Sequence, residues 1–180
     1  GITSFEDRAD QFDWADVYIV CQLAVEGSQY PQEMRLAGSF DREPNGNIKT
    51  CTILKRLYWL FDTIGFEGGP DVQGNMVDEN GDSIDLVNHL DANFCTNPLE
   101  PSHDYLVYMY KEQGRKDPSK TYTTAFPKLV PNTPAGRKDL EGYINFMKSK
   151  NLIKEVQDGV ATNNAITPNG GMQNTSDSPF

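Results

Sequence analysis

Three cysteines, two histidines, few basic residues and no long apolar run leave this 180-residue chain without the parts that several kinds of protein need. The apolar stretches are only a few residues long, too short for a membrane-crossing helix. No basic stretch followed by an apolar run opens the chain, so no secretory leader is expected. Phe5 stands where a myristoylation signal needs Ser or Thr. Cys21, Cys51 and Cys95 are far apart and form no C-x-x-C pair, and His89 and His103 supply no spaced partner. A structural zinc site is therefore not expected, and reduced core thiols in a cytoplasm are.

The motifs of nucleotide-dependent and hydrolytic enzymes are missing as well. There is no G-x-x-x-x-G-K-[ST], no G-x-G-x-x-G and no G-x-S-x-G. The two histidines lie in acidic or loop contexts with no nucleophile near them. An EF-hand loop starting at Asp78 would need Gly at its sixth position and Glu at its twelfth, where Ser83 and His89 stand. The carboxylates Asp78, Glu79, Asp82 and Asp85 are better explained as a solvated turn around Asn80-Gly81. No catalytic residue, no metal and no cofactor is expected.

Basic charge is scarce overall, with a formal net charge of −10. Its distribution says more than its sum. Residues 1–104 hold 6 Lys and Arg against 19 Asp and Glu, and no Lys or Arg lies between Leu57 and Tyr110. Residues 105–155 reverse the balance, with 10 basic against 5 acidic. One part of the chain thus repels anions while another can attract them.

The length suits one domain, and 37% hydrophobic residues suit an ordinary globular one. Residues 1–14 are polar and acidic, and an N-terminal arm is expected there. Val17, Ile19, Cys21, Leu23 and Val25 alternate as a buried strand does, and residues 34–40 make a second. From Ile48 to Ile64 the apolar spacing becomes three and four, a helix that Gly65 would stop. A short strand is expected at residues 75–77, and a helix capped by Ser83 and running to Phe94. Residues 104–112 and 120–126 alternate as two strands of a hairpin with a basic tip. Thr133-Pro134 then opens a last helix bearing Leu140, Tyr143, Ile144 and Met147. Residues 156–180, rich in Gly, Asn and Thr, bury too little apolar area to order themselves. This is α+β and mainly β: an OB-like small β-barrel spanning residues 15–155, followed by a disordered tail.

The chemistry that is present is aromatic and basic together. Lys55 and Arg56 share a helix with Tyr58 and Trp59. Tyr108, Tyr110, Lys111, Arg115, Lys116, Lys120 and Tyr122 lie on the hairpin. Stacking faces beside phosphate-attracting charge are what sequence-tolerant single-strand binding requires. Tyr108 and Tyr110 share one face of their strand, whereas Lys111 shares the other with Met109, and one of these faces must be core.

The chain ends Asp177-Ser178-Pro179-Phe180, a ring and a carboxylate on a flexible leash. This end resembles the Asp-Ile-Pro-Phe tip of bacterial single-stranded DNA-binding proteins and the Phe-terminated tails of phage helix-destabilising proteins, with Ser178 in place of Ile and less acid around it. The runs LKRLYWLFDTIGF, LVYMYKE and KDLEGYINFMKSKNLIKE are similar to single-stranded DNA-binding proteins of tailed phages, in which a short barrel precedes a C-terminal helix. The resemblance implies a replication or recombination accessory in the host cytoplasm. It would bind single-stranded DNA and recruit partner proteins through Asp177, Pro179 and Phe180. The alternative is a virion-associated or assembly protein whose acidic surfaces are its contacts.

Overall fold

The computed structural model describes residues 1–96 and 104–156. Five long strands, β1 (Ile2–Asp7), β2 (Val17–Leu23), β3 (Gln32–Gly38), β6 (Tyr105–Gln113) and β7 (Thr121–Pro131), form one sheet in the order β1-β2-β3-β7-β6. Two-residue strands β4 (Gly69–Pro70) and β5 (Met76–Val77) pair separately. Three helices accompany them among the described residues: α1 (Thr52–Ile64), α2 (Leu86–Phe94) and α3 (Pro134–Ser149). The α+β class is as expected, but the closed barrel is not: β1 and β6 remain the two outer strands of an open sheet.

The expected N-terminal arm is a strand. Ile2 and Phe5 are both buried, although they stand three positions apart, because a bulge between Ile2 and Ser4 resets the pleat. That bulge hides the strand from a search for period two. The outer edge of β1 is closed by residues in and after α2: the Phe5 amide donates to Asp91 Oδ1 at 2.9 Å and the Thr96 amide to the Ile2 carbonyl at 2.7 Å.

On β2, Val17, Ile19, Cys21 and Leu23 enter the main core against α1 and α2. Val20, on the other face, is also fully buried. Its register partners are Glu6 and Arg35, and an ion layer of Arg8 with Glu6 and Glu33, and of Arg35 with Glu33, roofs this part of the sheet.

Helix α1 starts at Thr52 and not at the expected Ile48, which instead bridges to Arg42; from Thr52 on it follows its spacing. Ile53, Leu57, Leu60, Phe61 and Ile64 are buried, and Gly65 at φ 79° ends it while the Gly65 and Phe66 amides donate to the Phe61 carbonyl. It packs on β3 and β7, which run parallel and share the register pair Met34↔Ala125. Thr63 Oγ1 ties the helix to β7 by donating to the Leu129 carbonyl at 2.8 Å. The helix approaches β3 so closely that a Cβ on Gly38 would lie 2.8 Å from Ile53 Cβ.

The acidic stretch is indeed turn chemistry. Asp71 accepts from the Gln73 and Asn75 amides, and Asp78 from those of Asn80 and Asp82. Asp85, not Ser83, caps α2 by accepting from the Asn88 amide, while Ser83 bridges to Val77. Thr133 caps α3 as its sequence predicts, accepting from the Gly136 amide, with Pro134 in the first turn.

The β6–β7 hairpin has a core on both faces. Tyr105, Val107 and Met109 join the main core, and Leu106, Tyr108 and Tyr110 join a second one with Phe126, Val130, Leu140, Ile144 and Ile153. The sequence required one face to be buried; in the fold each face is at least half covered.

Candidate nucleic-acid interface

Hairpin geometry decides which of the expected residues can act together. Glu112 pairs with Tyr122 and Tyr110 with Thr124, so Tyr108, Tyr110 and Tyr122 share the α3 side of the hairpin. Tyr108 and Tyr110 stack on one another, with centroids 5.9 Å apart and planes 20° from parallel. Tyr122 is 53% exposed and its ring lies against Gly114, where a Cβ would come within 2.8 Å of it.

The tip is a fixed turn. The Gly114 amide donates to the Lys120 carbonyl, the Lys120 amide to that of Asp117, and Asp117 accepts from the Ser119 amide and hydroxyl. Lys120 is drawn to Asp117 at 3.6 Å. Arg115 and Lys116 are exposed and form no ion pair among the described residues. The turn leaves these two cations facing solvent.

Arg56 reaches the same face from α1. It is half-buried near Tyr110 and Tyr143; burial lowers its guanidinium's pKa, and the phenols of Tyr143 and Tyr110 act to raise it. Tyr110 in turn is raised by burial and by Glu112, with Arg56 and Arg115 opposing. Lys55 is exposed one residue away and makes no ion pair among the described residues. Lys111 pairs with Thr123 on the other face of the hairpin, away from the tyrosines, and its carbonyl accepts the Val156 amide. The structure thus unites Arg56, Tyr108, Tyr110, Arg115 and Tyr122, leaves Lys55, Lys116 and Lys120 at the margin, and separates Lys111. Asp177, Pro179 and Phe180 lie outside the described residues.

Two cations absent from the sequence-based set belong here. Lys148 Nζ lies 4.8 Å above the Tyr108 ring and 2.7 Å from Glu155, which also accepts the Tyr108 hydroxyl at 2.8 Å. The Glu155 carboxyl is held below its usual range by Lys148 and the Tyr108 hydroxyl, and Lys148 is raised by Glu155 and Tyr108. The spacing Leu140-Ile144-Lys148, four and four, already put Lys148 on the sheet-facing side of α3. Lys128 is buried at 7% exposure, with Nζ 3.0 Å from Asp139 and 4.5 Å from the centroid of Trp59. Its alternation with Phe126 and Val130 marked an inward position that needed a partner.

Between β6 and α3 runs a groove of about 370 Å³ lined by Leu106, Tyr108, Leu140, Ile144, Arg137 and Lys148. Elsewhere, His89 packs on Phe66 and Phe94, and His103 lies outside the described residues. Cys95 is pushed up to about 11 by burial and by Asp91, so its thiol is a poor nucleophile. The comparisons with known proteins return no matching family model, curated protein or solved structure.

Proposed function

We propose that the chain binds single-stranded DNA without sequence preference, as an accessory of phage replication or recombination in the host cytoplasm, and carries no catalytic activity. One observation carries the reading: three tyrosines share a single hairpin face that Arg56, Arg115 and Lys148 surround. Unpaired bases stack on Tyr122 and enter the groove beside Tyr108, while phosphates meet Arg115, Lys116 and Arg56. A duplex keeps its bases stacked on each other and gains only the phosphate contacts. The OB-like assignment draws support from a five-stranded sheet with helices between β3 and β6, since a partly open five-stranded barrel is the OB architecture and the loop between its last two strands is one of those that hold oligonucleotides. Partner recruitment by Asp177, Pro179 and Phe180 belongs to the same reading.

The test is titration with oligo-dT followed by tryptophan fluorescence at several salt concentrations. The expected logarithmic salt slope is roughly −2 to −4, about −0.7 per phosphate neutralised. Duplex of the same length should bind more weakly. Absence of binding at low salt, or binding indifferent to salt, contradicts the proposal.

A further inference from the structure

The other end of the sheet carries an aromatic surface that nucleic-acid binding does not use. Phe12 and Tyr18 stack with centroids 4.6 Å apart and planes 12° from parallel, and Trp14 leans on both at 5.9 and 6.3 Å. Trp14 is 56% exposed. Tyr18 pairs with Ala37, too small to cover a ring, and β1 has already ended at Asp7, paired with Ile19.

The loop that holds these rings is fixed at several points. The Arg8 amide donates to the Tyr18 carbonyl, the Asp16 amide to that of Gly38, and Ser39 Oγ to that of Trp14. Asp16 accepts the Phe40 amide at 2.8 Å. Phe12 and Tyr18 are partly covered and Trp14 is the exposed ring of the cluster; an apolar surface held in place by a fixed loop suits a partner, and preorganisation lowers the entropy lost on binding.

The charge around it selects the occupant. Residues 6–16 hold Glu6, Asp7, Asp10, Asp13 and Asp16 against one cation, Arg8, which Glu6 and Glu33 already engage at 2.7 and 3.3 Å. Asp10 and Asp13 are exposed and have no ion pair or hydrogen bond among the described residues. A phosphate backbone would be repelled here. We propose that the Phe12–Trp14–Tyr18 face docks a partner protein through a basic segment, whose arginine or lysine lies across the rings while its charge meets the carboxylates of the same loop.

The proposal stands apart from single-strand binding and is tested separately. The full chain is titrated with a short synthetic peptide of glycine-spaced arginine and leucine, and the two tryptophan indole N–H signals are followed by NMR, with Trp14→Phe identifying its own. The Trp14 signal and the amides of residues 7–18 should shift while Trp59 stays still. The double variant Asp10→Asn/Asp13→Asn should weaken the peptide at least about fivefold, as removal of two exposed charges allows. Glu43→Gln/Glu79→Gln, which removes the same charge elsewhere, should leave the affinity unchanged, as should Arg115→Ala/Lys116→Ala. Equal weakening by both neutralised pairs would show attraction to net charge alone and overturn the proposal. So would shifts elsewhere, no shift at millimolar peptide, or oligo-dT moving Trp14 and tightening in the Asp10/Asp13 variant, which would make the face a nucleic-acid surface. If oligo-dT binds nowhere while the peptide behaves as expected, only the single-strand reading falls.

Discussion

The meander β1–β2–β3 and the hairpin β6–β7 belong to one sheet but treat charge in opposite ways. In the meander the cations Arg8 and Arg35 are tied to Glu6 and Glu33, and carboxylates such as Asp10 and Asp13 are left over. In the hairpin the turn keeps Arg115 and Lys116 outward and unpaired among the described residues. Both regions contribute to the core beneath α1 and α2, and the hairpin alone adds a second one beneath α3. A net charge of −10 describes neither of them. Charge must be counted per structural unit before it says anything about a ligand.

The comparison breaks first at α1, which serves both regions. Its Leu57 is fully buried in the main core, while Trp59 meets Tyr143 of α3 edge-on at 5.0 Å. Leu57→Ala should destabilise the protein by about 2–5 kcal/mol. Far-ultraviolet circular dichroism and tryptophan fluorescence should still report one coincident transition. Two separated transitions would mean that meander and hairpin fold independently. Next in size is Tyr122→Ala, which should lose about 1–3 kcal/mol of oligo-dT affinity. Its ring is half exposed, so the melting temperature should hardly move; a large drop with unchanged affinity would place the ring's role in packing.

Smaller effects sharpen the contrast. Arg115→Ala/Lys116→Ala should make the salt slope of oligo-dT binding shallower by about 0.7 for each phosphate no longer neutralised, whereas Asp10→Asn/Asp13→Asn should not. The least effect is expected at Glu155, which on the proposed function would compete with phosphate for Lys148. Glu155→Gln should tighten oligo-dT by about twofold at neutral pH, a change of roughly 0.4 kcal/mol. Because its folded pKa is lowered, the carboxylate contributes its full stabilisation above the usual carboxylate range and loses it as pH falls through the lowered value. The difference between variant and wild type should therefore vanish in acid.

Much of this was legible in the sequence, and the exceptions have physical causes. Helices α1 and α3 and the β6–β7 hairpin follow from spacing, a glycine stop and a Thr-Pro start, all local signals. Strand β1 did not, because its bulge breaks the alternation and its burial depends on α2, more than eighty residues away. The open sheet was likewise invisible: closure would require β1 and β6 to pair, a tertiary matter that no periodicity records. In the candidate interface, the tyrosines were found by residue type and the wrong-facing Lys111 by the same criterion. Telling them apart needed the register. The aromatic cluster at Phe12, Trp14 and Tyr18 stayed hidden because Phe12 and Trp14 lay in what the composition marked as a polar arm, apart from the strand that holds Tyr18.

The central claim is that a single strand crosses the tyrosine face of the hairpin and avoids the acidic meander. Ultraviolet crosslinking of oligo-dT to the full chain, with the modified residues read by mass spectrometry, tests it most directly. The account expects adducts at Tyr122 and Tyr110 that disappear as salt rises. Adducts concentrated at Trp14 and Tyr18 would contradict it.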